Sequence, residues 1–202
     1  MFGSRQRKIN QEISEIRIWI VGQAMGFASD IAEQFESEED TEPRYRRVVT
    51  SDTGLSPTTS INQMLLIVES AAFFMHALSR FAFRPNDETV RDKICNPVKD
   101  AWISVLDELF RKTYENSPIT RSNIVDHLNM RETEYGSEPN LLGNSADDPN
   151  CGVSAASRAI AEAIGRSGNE HLFAKSKIAL MKSLLAMDLK RRVDSLAELM
   201  AG

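Results

Sequence analysis

The chain has 202 residues, 42% of them hydrophobic and 26% charged, with a formal net charge of -5. That length suits one domain with a sizeable core. The mild acidity gives no electrostatic footprint for nucleic acid, whose phosphates need a concentrated basic surface, though it leaves room for a local basic patch, and 10 Gly with 7 Pro argue against a turn-rich all-β chain.

The N-terminal MFGSRQRKINQEISEIR is too charged for a secretory signal. From Lys8 to Gln34 the residues Ile9, Ile13, Ile16, Ile20, Ala24, Phe27, Ile31 and Phe35 recur at steps of three or four, which predicts one long helix with a single apolar face. Gly22 and Gly26 stand at GxxxG spacing within it. Arg17 and Asp30 flank them, so the expectation is a place where another helix backbone packs closely, not a membrane dimer.

Residues 36–56 break the periodicity. An acidic block from Glu36 to Glu42 precedes Pro43 and the basic cluster Arg44, Tyr45, Arg46 and Arg47, and the segment is expected to be mobile and solvated. Asp52-Thr53-Gly54 matches the aspartic-protease triplet, but helical flanks reduce it to a turn.

Ser56 and Pro57 give a helix-start signal for the most apolar stretch, Ile61–Phe83. Glu69, His76 and Arg80 interrupt it, so no uncharged run reaches the ~18 residues of a transmembrane span. Pro85 ends it. Next come a segment capped by Asn86 or Asp87, a break or kink at Pro97, and an amphipathic helix carrying Val98, Trp102, Val105, Leu106, Leu109 and Phe110. Asn116, Ser117 and Pro118 mark a boundary before a shorter helix with Ile124, Val125 and Leu128 turned inward. The stretch 136–153 is rich in turn formers and reads as a long mobile loop. A small-residue helix from Ser154 to Gly165 and one final helix from Asn169 to Met200 complete the chain. The final helix is given an apolar face of Ile178, Met181, Leu185, Val193, Leu196 and Met200. The prediction is a single all-α domain over 1–202, an antiparallel bundle of five to seven helices around a buried central helix.

Chemistry is sparse. His76, His127 and His171 have no glutamate three residues before them, and neither a His-x-x-x-His nor a Cys-x-x-Cys pair occurs. Phosphate-binding glycine loops and a Gly-x-Ser-x-Gly elbow are also missing. Glu12-x-x-Glu15 and Asp30-x-x-Glu33 are ordinary solvated pairs, short of the acid clusters by which helical pyrophosphohydrolases hold magnesium. No cofactor is expected. Cys95 and Cys151 are read as free thiols of a cytoplasmic protein.

One constellation stands out. On the central helix Asn62, Glu69, Phe73, His76 and Arg80 fall within about 60° of one another, with apolar residues elsewhere. This stripe is either the wet edge of the helix or a ligand-binding seam. Glu69 and His76 lie roughly 10 Å apart along the axis, too far to share a metal, whereas His76 and Arg80 at i and i+4 can meet one small anion. The sequence favours a non-enzymatic interaction or regulatory protein with a protein partner or a second copy of itself. A bundle that binds a small anion through Asn62, Glu69, His76 and Arg80 is the alternative, and a metal-dependent enzyme with a scattered site is the third.

Overall fold

A computed structural model describes residues 2–36, 61–84, 88–113, 120–145 and 148–201. The segments expected to be mobile or to bound helices at 37–60, 85–87 and 114–119 fall outside the described residues. Seven α-helices are described: α1 Phe2–Glu36, α2 Ile61–Ala82, α3 Glu88–Thr113, α4 Arg121–Gly136, α5 Gly152–Ala163, α6 Glu170–Met187 and α7 Leu189–Ala201. Among the described residues there is no strand, only one isolated bridge between Asn140 and Cys151. The protein is an all-α multi-helix bundle.

α2 is its axis. It packs against α1, α3, α4, α5 and α7. Met64–Ala82 is long and apolar enough to cross a membrane, but 83% of it is buried inside the bundle. A helix apolar nearly all round needs such an enclosure. Phe73, Phe74, Leu78 and Ala82 are fully enclosed. α1 lies alongside with Ile16, Ile20, Ala24, Phe27 and Ile31 inward, the face its periodicity predicts.

Three expectations are corrected. First, α3 does not break at Pro97 but runs through it. Ile94, Cys95, Val98 and Trp102 on either side are buried in one core, and Pro97 itself is exposed, so hydration can take up the carbonyl its ring leaves unbonded. Second, the final helix is two helices. Asp188 adopts a left-handed conformation at φ 48° and ψ 39°, which a short polar side chain tolerates, and the bend buries Leu189, Val193 and Leu196 of α7. In consequence Ile178 and Leu185 point outward, while Leu172, Leu180, Leu184 and Met187 form the inner face of α6. Third, among the described residues no helix backbone packs closely on Gly22 and Gly26. Both are exposed, and a Cβ at either would meet none of those residues within 4 Å.

The described part of the loop after α4 is pinned to the body. Gly152 and Val153 N–H donate to the carbonyls of Asn140 and Leu141, both at 2.9 Å. Buried Lys177 donates Nζ to the Asp148 carbonyl at 3.0 Å, and Ser154 Oγ donates to the same carbonyl at 2.7 Å. Gly143, at φ 80°, must be glycine: a Cβ there would stand 2.9 Å from that of Asp148.

Candidate functional site

The polar stripe of α2 faces α4. Glu69 is 3% exposed and His76 4%, and Phe73 between them is fully buried. The step 124, 128, 131, 135 on α4 supplies the opposing surface: Ile124, Leu128, Arg131 and Tyr135 are all buried. A capping box fixes the start of α4, with the Thr120 side chain accepting from the Asn123 N–H and the Asn123 side chain accepting from the Thr120 N–H.

Glu69 meets Arg131 in a two-pronged ion pair, Nε to Oε2 at 2.8 Å and Nη2 to Oε1 at 2.9 Å. Arg131 Nη1 also donates to Glu134 at 2.6 Å, and His127 Nε2 stands 3.1 Å from Glu69 Oε1. Burial opposes the Arg131 charge, but the bonds to Glu69 outweigh it and its pKa rises. Burial, then the Glu69 charge, pushes the Tyr135 hydroxyl well above the usual tyrosine range. Tyr135 packs edge-on against Phe73 at 6.2 Å and against His76 at 5.7 Å. Both oxygens of Glu69 are thus occupied by α4, and its place is in a buried structural pair.

Arg80 is turned elsewhere. Its Nη1 donates to the Glu138 carbonyl at 2.8 Å and Nη2 to the Pro139 carbonyl at 2.9 Å, so it clamps the chain that leaves α4. Asn62 lies in the first turn of α2, and its side chain is outside the described residues. The three stripe residues whose side chains are described, Glu69, His76 and Arg80, therefore do not converge on one ligand. The stripe is neither the wet edge of the helix nor a common binding seam: it is mostly the α2–α4 joint.

His76 is the exception. Neither ring nitrogen has a hydrogen-bond partner among the described residues. Leaving a buried polar group unsatisfied costs about 1–3 kcal/mol. Burial holds its pKa down to about 4, and the Arg80 charge adds to this, Glu132 opposes and Arg91 contributes less. The ring is neutral near pH 7. It lines a cleft between α2, α3 and α4 together with Ser79, Arg91, Cys95, Asn96 and Glu132. Arg91 Nε donates to Ser79 Oγ at 2.8 Å, Arg91 Nη2 to Glu132 Oε1 at 2.8 Å, and Ser79 Oγ to the same oxygen at 2.9 Å. Burial raises the Cys95 thiol to about 12, which keeps it protonated and a poor nucleophile. Cys95 and Cys151 are both buried and unpaired. No group of three or more His, Cys, Asp or Glu that could hold a metal occurs among the described residues.

Sequence reading missed Arg131, Tyr135, Arg91 and Glu132. The α4 pair had a signal, since Arg131 and Tyr135 continue the spacing of Ile124 and Leu128. Arg91 and Glu132 had none, because only the packing of α3 against α4 brings them together.

Fold and site together define a helical bundle with a buried ion-paired joint and one small polar cleft beside it. Compared with family models, curated proteins and solved structures, the chain finds no match.

Proposed function

We propose that the protein is a non-enzymatic helical interaction protein that associates with a second copy of itself through the open face of α1 beside α6. The supporting observation is the GxxxG pair. Gly22 and Gly26 sit on the exposed side of α1, with no neighbour for a Cβ among the described residues. Each costs ~1 kcal/mol relative to Ala in a helix interior, with no packing among those residues to offset it. An open groove of about 580 Å³ runs from them to Lys175, Ile178 and Lys182 of α6. Ile178, 53% exposed, lines it beside Asp30, Lys175 and Lys182, and on the same two helices Ile18 is 64% exposed and Leu185 69%.

The face is complementary to itself. Ile18, Gly22 and Gly26 form one i+4 ridge, with Ile18 and Gly26 each four residues from Gly22. Two α1 helices crossing antiparallel at Gly22 would seat each Ile18 on the Gly26 of the other copy. That is the two-fold arrangement most homodimers use. Two buried, free thiols suit a reducing compartment, and a cytoplasmic location is part of the same proposal.

Light scattering across a concentration series tests it. The expected result is a monomer–dimer equilibrium that Gly22→Leu or Gly26→Leu shifts to monomer with helicity unchanged. A chain monomeric at every concentration overturns the proposal, as does a dimer indifferent to both substitutions.

A further inference from the structure

The cleft between α2, α3 and α4 has a volume of about 120 Å³. Buried His76 and Cys95 line its inner part, and exposed Asp92 and Asn96 lie at its mouth. Among the described residues Trp102 Nε1, His127 Nε2, Tyr135 Oη and Ser176 Oγ also lack hydrogen-bond partners, but none of these residues lines this cleft, whereas His76 does with both nitrogens unpartnered. A neutral imidazole offers one N–H donor and one acceptor nitrogen.

The walls are balanced in charge. Two basic residues, Arg91 and Lys99, are matched by two acidic ones, Asp92 and Glu132. Arg91 and Glu132 bind one another through Nη2 and Oε1, which leaves Arg91 Nη1 and Glu132 Oε2 without a partner among the described residues. Lys99 Nζ is held at the rim by Asn129 at 2.6 Å. A simple anion would be drawn to Arg91 and repelled by Glu132, and a simple cation would meet the reverse. A molecule carrying both charges satisfies both. Size narrows the choice, because an apolar cavity of ~150 Å³ takes benzene, so this one takes about five or six non-hydrogen atoms.

We infer that this cleft binds a small zwitterion, an α-amino acid of the size of glycine or alanine, between the Arg91–Glu132 pair and the free nitrogens of His76. The amino acid's carboxylate faces Arg91, its ammonium faces Glu132, and His76 supplies the inner hydrogen bond. A zwitterion takes the place of the small anion that the sequence offered as an alternative, because Arg80 is committed to the Glu138 and Pro139 carbonyls and acids stand opposite the remaining cations. The site is separate from the α1–α6 face and does not depend on self-association.

The test is a titration of the full chain, ¹⁵N-labelled at histidine, with glycine and with alanine near pH 7, following the ring nitrogens by NMR. Acetate, methylammonium and inorganic phosphate are the controls. Saturable movement of the His76 resonances with either amino acid, and none with the controls, is the expected result. His76→Gln assigns the resonance. Glu132→Gln, at a half-buried position, keeps an acceptor oxygen for Arg91 and Ser79 and weakens the amino-acid response by about tenfold, the loss of one ordinary charge-assisted hydrogen bond. If His76→Gln does not fold, the wild-type and Glu132→Gln titrations still decide. No saturable movement with either amino acid means that water alone fills the cleft, and equal movement with acetate or phosphate means a plain anion site. Either result overturns the inference.

Discussion

At the scale of single residues, the decisive pair is Glu69 and Arg131. Each is buried and each is the other's main partner. Removing one leaves an uncompensated charge in the core, which costs about 3–5 kcal/mol, whereas replacing both by apolar groups of similar size is close to neutral. We therefore expect Glu69→Ala and Arg131→Met each to lower the urea midpoint sharply, and Glu69→Met with Arg131→Met to recover most of the loss. Equal destabilisation by the double variant would show that the pair does not act as a unit. His76 makes a second prediction. Its folded pKa is about 4 against an ordinary value of 6.5, so between those pH values the unfolded chain holds more protons than the folded one. Stability contributed by the neutral ring is present above about pH 6.5 and is lost as pH falls towards 4, by on the order of 3 kcal/mol. Burial drives this shift, the Arg80 charge adds to it, Glu132 opposes it and Arg91 contributes least. His76→Phe should flatten the acid limb of a Tm-against-pH curve, and an unchanged limb would remove His76 as its cause.

At the scale of elements, the two departures from the expected helices are each testable. Pro97 interrupts the α3 hydrogen-bond ladder without breaking the helix, because its neighbours are anchored in one core. Pro97→Ala restores the bond and should raise stability by on the order of 1–3 kcal/mol, less whatever the proline removed from the freedom of the unfolded chain. Calorimetry reads the change, and a lower Tm would mean that the core requires the proline's geometry. Asp188 stands in the left-handed region between α6 and α7. Asp188→Gly should be neutral or stabilising there, while Asp188→Val should cost about 1–2 kcal/mol, because a branched side chain fits that conformation poorly. If the two variants melt alike, the bend is set by the packing of Leu189 and Val193 and not by the conformation of residue 188.

At the scale of the whole molecule, the open α1 face separates monomer stability from association. None of the described residues would clash with a methyl group at Gly22 or Gly26, so the alanine double variant should make the isolated monomer more stable by roughly 1–2 kcal/mol. If a second copy docks there, the wild-type Tm rises with protein concentration and that of the variant does not. A wild-type Tm independent of concentration would count against the dimer.

The sequence by itself determined the helical class, the buried central helix and the inward face of α1, because a sustained apolar period depends on local geometry alone. It also picked out Glu69 and His76 as unusual in an apolar helix. What it could not supply was direction. The stripe on α2 reads the same whether it meets water, a ligand or another helix, and only the placement of Arg131 and Tyr135 on α4 decided that it is a joint. Asn62 was equally legible, but its side chain lies outside the described residues. The α6 face was misjudged for a related reason: apolar residues run round most of that helix, and the turn at Asp188 selects which of them go inside. The cleft beside His76 was invisible until three helices met, since Ser79, Arg91 and Glu132 are distant in the chain and only tertiary packing joins them.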